Sequence, residues 1–463
     1  MRFARMHFVL LIATALLLGA GLRVGRGTPW RAPTSPQAVG LAPTPPMGWN
    51  SFDAYCGDVT EQEVKANADY MAEHMARYGW KYVVIDYYWY FSHTQPNPEQ
   101  ENMDGYGRLI PAPNHFPSAA QGQGFKTLAD YVHSKGLRFG IHIMRGIPRA
   151  AVEKNLPILG TSAHAQDVAD TKNFCPWSTA MYGVDVSKPA GQAYYDSIVA
   201  LYAEWGVDYI KADDMSWADK PARESYHGAE IAALHRAIVN SGRPIVLSLS
   251  PGPAPLSQAA HLEENANLWR ISDDFWDNWK SLKNQFALCG VWAPYVVPNH
   301  WPDADMLPIG RIRIHGFKGP ERQSRFTPAE QRTHLTLWAI FRSPLMMGGD
   351  LPSLDAATLG LLTNPEMLAV DQHSTHNREL FTRGNQVAWA ADAPGSRDKY
   401  LAVFNLDDQT PGGVTVSWSE LGLGSKCSVR DLWLRKDLGV VGGVFAPQIE
   451  PHGAGLYRIT PER

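Results

Sequence analysis

Helix-like runs in this chain end repeatedly at a glycine, cross into a short apolar run and stop on a polar residue. Gly79 leads into KYVVID ending at Asp86, and Gly136 into LRFGIH ending at His142. Gly206 leads into VDYIKAD ending at Asp213, and Gly242 into RPIVLSLS ending at Ser250. A left-handed glycine commonly ends a helix, and a short Val/Ile/Tyr run after one reads as a buried strand. Repeated β-then-α order predicts a parallel sheet. If that sheet closes into a (β/α)8 TIM barrel, the C-terminal strand ends form the active site. Here those ends carry Asp86, His142, Lys211-x-Asp213 and Ser250, which points to an enzyme.

Thr60 and Glu63 form a capping box, and Val64, Ala68, Met71, Met75 and Tyr78 keep to one face of the helix it opens. Leu128, Tyr131 and Val132 mark a second helix, and Pro189 with Tyr195, Ile198, Leu201, Tyr202 and Trp205 a third. Ile231, Leu234 and Ile238 mark a fourth, and Thr327-Pro328-Ala329-Glu330 opens another. Strands are predicted at 47–50, 82–86, 138–142, 209–213, 245–250, 268–272, 296–301 and 343–347. The segment 148–187 reads as a long irregular loop that shapes a substrate site. Beyond about residue 372, short alternating runs at 386–391, 400–404, 414–418, 428–433 and 456–459 predict an antiparallel β-sandwich. The expected architecture is a catalytic barrel over 45–373 and an all-β domain over 374–463.

Composition adds limits. The 463 residues are 44% hydrophobic and 19% charged, with a net charge of −4, an ordinary balance for a large globular chain. No basic cluster argues for nucleic acid. Most of the 16 Trp read as core, the rest as stacking surfaces for a ligand ring. Arg2, Arg5 and His7 precede an apolar run over 8–22, which predicts that 1–27 is an export signal or an uncleaved anchor. A Pro-rich linker over 28–44 would follow it. The expected location is therefore periplasmic or extracellular, with membrane contact only if the anchor is retained. Cys56, Cys175, Cys289 and Cys427 show no metal-type spacing, and in an exported chain they allow disulfides or buried thiols.

Alternation along a strand places Tyr209, Lys211 and Asp213 inside the barrel and Ile210 and Ala212 against the helices. An ammonium beside Asp213 would keep it ionised, as a nucleophile requires. A second carboxyl cluster, Asp273-Asp274-Phe-Trp-Asp277, follows the sixth strand, and one member could serve as a general acid. Paired carboxyls of this kind cleave glycosidic bonds. Spacing alone leaves Asp273 and Asp274 open, with an N-cap role as the alternative. Asp303 and Asp305 lack a third clustered oxygen ligand, so no metal or other cofactor is expected.

PPMGWNS (45–51), the Asp86 strand end, WGVDYIKADD (205–214), WRISDDFWDNW (269–279), WPDADMLPIG (301–310) and SPLMMGGDL (343–351) resemble glycoside hydrolase family 27. That family includes α-galactosidases and α-N-acetylgalactosaminidases. The resemblance runs from about residue 45 to 372, and the β tail is similar to the family's C-terminal sandwich. It implies a retaining mechanism with Asp213 as nucleophile and Asp274 as acid/base, which decides between the two neighbours. It further implies substrate contacts from Trp49, Asp86, Lys211, Arg270 and Asp305.

Three positions depart from the family pattern. Tyr87 stands where a second aspartate usually follows Asp86, His142 replaces a tyrosine, and Ser250 lies in a strand-five loop without the usual glutamate. The expected reaction is hydrolysis of terminal α-galactoside-type bonds in an oligo- or polysaccharide. An α-N-acetylgalactosaminide, a β-L-arabinopyranoside or a dextran-type glucoside are the alternatives within the family. A Schiff-base aldolase using Lys211, with Gly348-Gly349 cradling phosphate, and a non-catalytic carbohydrate-binding protein are the readings outside it.

Overall fold

Eight strands form one parallel sheet: β1 (Met47–Asn50), β2 (Tyr82–Ile85), β3 (Arg138–Met144), β4 (Tyr209–Asp213), β5 (Val246–Leu249), β6 (Leu268–Arg270), β7 (Trp301–Asp303) and β8 (Leu345–Met347). Their order is β7-β6-β5-β4-β3-β2-β1-β8 in this computed structural model. The structure describes residues 40–92, 101–178, 180–217, 226–316 and 319–462, so the segment predicted as an export signal or anchor and most of the predicted linker lie outside the described residues. A main helix follows each strand, with shorter helical turns beside some of them: α1 (Glu61–His74), α2 (Lys126–Ser134), α3 (Pro189–Trp205), α4 (Gly228–Ser241), α5 (Ala259–Asn265), α6 (Trp279–Trp292), α7 (Pro328–Phe341) and α8 (Pro365–His373). The chain is thus a TIM barrel. Among the described residues no helix is long and apolar enough to cross a membrane.

Local sequence accounts for the helix ends. The Thr60 side chain accepts from Glu63 N and the Glu63 carboxylate from Thr60 N, and Thr327 and Glu330 repeat the arrangement at α7. Gly206 and Gly242 end α3 and α4 with φ of 90° and 69°, a region that costs other residues a steric penalty.

Strand alternation divides the core. Tyr82, Val84, Tyr209, Val246, Leu268, Trp301 and Met346 pack together in the barrel interior. Val83, Ile85, Ile210, Ala212, Leu247 and Leu249 belong to the larger cluster with the helices. Lys211 and Asp213 therefore continue the inward face that Tyr209 begins.

The barrel closes between β7 and β8 without a regular ladder. Ala304 N donates to Ser343 Oγ (3.0 Å) and Leu307 N to Met346 O (2.8 Å). The predicted seventh strand, 296–301, is displaced. Val297 and His300 close a tight turn in which Asn299 has φ 71°, so pairing with β6 begins only at Trp301.

The segment 148–187 is more ordered than expected of a loop. It contains helices Arg149–Glu153 and Ala165–Val168, and its strands Ala169–Phe174 and Met181–Val184 join Ile147–Pro148 in a three-stranded sheet. Its side chains are half solvated, so no clean hydrophobic period marked it.

The C-terminal region is built on a six-stranded antiparallel sheet. Its strands are β9 (Thr375–Arg383), β10 (Gln386–Asp392), β11 (Lys399–Asn405), β12 (Lys426–Asp431), β13 (Lys436–Gly442) and β14 (Ala454–Pro461). Sequence reading missed β9 and β13. Both are edge strands, mostly exposed, and have no buried face to impose alternation. Phe404, Trp389, Leu432 and Leu456 share one core with the barrel helices. Trp433 Nε1 donates to Thr336 Oγ1 (3.0 Å), and Arg430 pairs with Glu366 at 2.7 Å.

All four cysteines are buried free thiols, so of the two alternatives left open by the sequence the structure has the thiols and no disulfide.

β1 and β2 approach so closely at Gly48 that a Cβ there would lie 2.5 Å from Tyr82 O. Gly48→Ala should cost about 1–3 kcal/mol, the usual scale of overpacking. Chemical denaturation should show a lower midpoint at unchanged slope.

Candidate active site

Asp213 ends β4 at the C-terminal mouth of the barrel, and both its oxygens are held. His142 Nε2, from β3, donates to Oδ2 (3.1 Å). Ser250 Oγ, beyond β5, and the Asp214 N–H each donate to Oδ1 (2.9 Å). Burial alone would raise the Asp213 pKa. The His142 hydrogen bond, the His142 and Lys211 charges and the Asp214 N–H outweigh it, so the carboxylate is held below its usual value.

Lys211 Nζ lies 2.9 Å from Asp86 Oδ2, which also accepts from Asn50 Nδ2 at 2.6 Å. Burial opposes both charges, yet each stabilises the other, and Asp86 is lowered while Lys211 is raised. An amine nucleophile needs the opposite shift. The Gly348-Gly349 turn is also no phosphate cradle. A Cβ at Gly348 would meet Asp53 Oδ2 at 2.0 Å, and one at Gly349 would meet Ile309 O at 2.0 Å. The aldolase reading therefore has neither its amine nor its anion site.

The second carboxyl cluster follows β6. Arg270 Nη2 lies 2.7 Å from Asp305 Oδ2 and 3.6 Å from Asp274 Oδ1. Asp305, with φ 87°, also accepts from Phe275 N at 2.7 Å, which ties the loop after β7 to the loop after β6. The Asp274 side chain is 52% exposed, so the solvent side of the cavity can reach it. Asp273 accepts from Asp274 N (2.8 Å), and neither caps a helix, since Asn278 caps α6. Asp277 turns away into a buried pairing with Arg322 and the Arg325 N–H.

These groups surround a cavity of about 470 Å³ that Asp86, Lys211, Asp213, Arg270, Asp274 and Asp305 help to line. Such a volume suits a small organic ligand. Three sequence-selected residues stand behind the lining. Trp49 is fully buried and donates Nε1–H to Gly349 O (2.9 Å), so it braces β1 against the loop after β8. Alternation reverses its expected direction, and Phe52, three residues on, reaches the cavity instead. His142 and Ser250 hold Asp213 as described and are absent from the lining.

Sequence reading also missed wall residues. Asp53, Tyr87, Tyr88, Trp177, Trp217, Trp276 and Met306 all line the cavity. Tyr87 packs on Tyr88 with ring centroids 3.7 Å apart, and its hydroxyl donates to Ser178 Oγ (2.7 Å). The signal for these two was present in the Tyr87-Tyr88 departure after Asp86. The others lie on loops or, for Asp53, on the single helical turn Phe52–Tyr55, where no period marks an inward residue.

Arg145 supports the chain at Asp213 and Asp214. It is 1% exposed and pairs with Asp214 and Glu230, each at 2.7 Å. Its backbone N–H donates to Asp213 O (3.0 Å). The neighbouring Asp214 carries φ 60°. Burial pushes the Asp214 carboxyl up to about 6, against the pull of Arg145. Among the described residues no cluster of three or more His, Cys, Asp or Glu is arranged to hold a metal ion.

A TIM barrel with carboxyl groups sharing one cavity at its mouth and an appended antiparallel domain has the layout of a glycoside hydrolase. The chain matches the family described as Alpha galactosidase A over residues 44–188 and 184–373. Residues 383–459 match the Alpha galactosidase C-terminal beta sandwich domain. It belongs to glycoside hydrolase family 27, the α-galactosidase family.

A solved family-27 β-L-arabinopyranosidase from Geobacillus stearothermophilus is 49% identical, with a TM-score of 0.87 over 91% of this chain and 97% of that one. The α-galactosidase of Coffea arabica is 31% identical over 92% of this chain and 96% of its own length. The α-N-acetylgalactosaminidase of Gallus gallus is 27% identical over 91% of this chain and 95% of its own.

Asp303 gives a pH prediction. Burial, then the nearby Asp305 charge, push its carboxyl up to about 6 from the ordinary 3.8. Its contribution to stability is complete below the unfolded value and is lost as pH rises through about 6. Asp303→Asn should therefore flatten the stability decline between pH 4 and 7, read by denaturation at several pH values.

Proposed function

We propose that the chain is a retaining exo-glycosidase acting on galacto-configured terminal sugars, with β-L-arabinopyranoside preferred and α-galactoside second. The observation that carries this reading is the Asp213 carboxylate, held ionised, sharing one cavity with the solvent-reachable Asp274. Asp213 attacks the anomeric carbon and forms a glycosyl ester, while Asp274 gives its proton to the departing oxygen. Asp274 then takes a proton from water, and the resulting hydroxide releases the sugar and frees Asp213. His142 and Ser250 fix the direction of the attacking oxygens, and Lys211 with Asp86 presents a polar floor to ring hydroxyls.

The preference for a pentopyranose rests on two observations. A β-L-arabinopyranoside has the ring configuration of an α-D-galactopyranoside without its hydroxymethyl group. The Tyr87 and Tyr88 rings fill the wall beside Asp86, which favours the sugar without the hydroxymethyl group, and the 49% identical relative is a β-L-arabinopyranosidase. Ser250 is engaged with Asp213, so it supplies no separate pocket for a 2-acetamido group. The same reading places the enzyme outside the cytoplasm, on the strength of the basic and apolar N-terminal pattern.

Asp213→Ala should lower kcat by about 10⁴-fold or more while the protein remains folded. A 2-deoxy-2-fluoro glycoside should label Asp213, read by mass spectrometry of the intact chain and its peptides. Near-wild-type turnover in Asp213→Ala would remove this mechanism.

On aryl glycosides, kcat/KM should be higher for the β-L-arabinopyranoside than for the α-galactoside. Tyr87→Asp should shift that ratio toward the galactoside by about tenfold, the scale of one hydrogen bond to a charged group.

A further inference from the structure

Asp53 differs from the other carboxyl groups of the cavity. Asp86, Asp213 and Asp305 each accept hydrogen bonds from named donors. Asp53 Oδ2 is buried with no hydrogen-bond partner among the described residues, in a residue only 4% exposed that lines the cavity. A short helix directly after β1, Phe52–Tyr55, presents it, and Arg313 N donates to its backbone oxygen (2.7 Å). The facing residue at the end of β8 is Gly348, where a Cβ would lie 2.0 Å from Oδ2. The carboxyl keeps this position only because that residue has no side chain.

An unpartnered buried carboxyl costs stability and makes no contact that repays the fold. Burial, then Asp305, Asp86 and Asp274, raise its pKa well above the ordinary value against the pull of Lys211. The raised value favours the protonated form, which has a hydrogen to donate and an oxygen to accept. Nearby, the Tyr87 hydroxyl is already committed to Ser178.

We propose that Asp53 is a sugar-binding residue that hydrogen-bonds one ring hydroxyl of the terminal sugar. This rests on the glycosidase reading above, and it adds a contact from the first strand to those from the second, fourth, sixth and seventh.

The experiment compares wild type, Asp53→Ala and Asp53→Asn on an aryl β-L-arabinopyranoside, the aryl α-galactoside and monodeoxy analogues of both. Binding of L-arabinose and D-galactose is followed by calorimetry, and the thermal midpoint of each protein is recorded. Asp53→Ala should lower kcat/KM about tenfold or more, with a thermal midpoint equal to or above that of wild type. Wild type should discriminate about tenfold against one monodeoxy analogue, and Asp53→Ala should not. Asp53→Asn, whose amide still donates, should retain activity to within about threefold.

Unchanged kcat/KM and unchanged discrimination in Asp53→Ala would overturn this contact while leaving the glycosidase reading intact. So would a fall in thermal midpoint that accounts for the activity lost. Absence of both hydrolysis and sugar binding in wild type would overturn the two together.

Discussion

Negative charge crowded into the mouth of a closed barrel is the constraint around which this molecule is built. Carboxyl groups from β2, β4, β6, β7 and their loops converge on one cavity, and each loses hydration in doing so. Two buried cations make the arrangement tolerable. Lys211 neutralises Asp86 and Arg270 neutralises Asp305, each at hydrogen-bond distance. Asp213 is held instead by hydrogen-bond donors, from His142, Ser250 and the Asp214 backbone. This difference separates a carboxylate that is locked from one that is oriented and still available to react.

The fold provides these neighbours through strand register. In β3 and β4, His142 pairs with Lys211 and Met144 with Asp213, so the residues that tune Asp213 sit one strand away on either side. Arg145 extends the same logic beneath the site, joining β3 to Asp214 and to Glu230 of α4. The seam between β7 and β8, closed by a serine hydroxyl and a few backbone bonds, leaves room for the Asp303-Asp305 loop to turn inward. The C-terminal sheet contributes no cavity residue among those described. Its shared core with α6 and α7 holds the helices behind β6 and β7 in place.

Much of this was legible in the chain. Glycine-ended helices followed by apolar runs carry their meaning locally, because a left-handed residue and a buried strand need no distant partner to be recognised. The inward direction of Lys211 and Asp213 followed from alternation alone. The errors share one cause, which is that orientation outside a regular strand is decided by distant contacts. Trp49 faces Gly349, roughly three hundred residues away, and yields its expected place to Phe52. His142 and Ser250, selected as substrate-binding residues, hydrogen-bond the Asp213 carboxylate and do not line the cavity. The shifted β7, the sheet within 148–187 and the edge strands β9 and β13 all lack a continuous buried face, so no period announced them.

The order of strands and helices and the alternating face of β4 were determined by sequence alone. Each depends on backbone geometry within a few residues. Tertiary structure decided which side chains share the cavity, which oxygens are held and which is left without a partner, and where burial moves a proton. Those depend on atoms that meet only after the sheet has closed, when desolvation and charge pairing act across strands rather than along one.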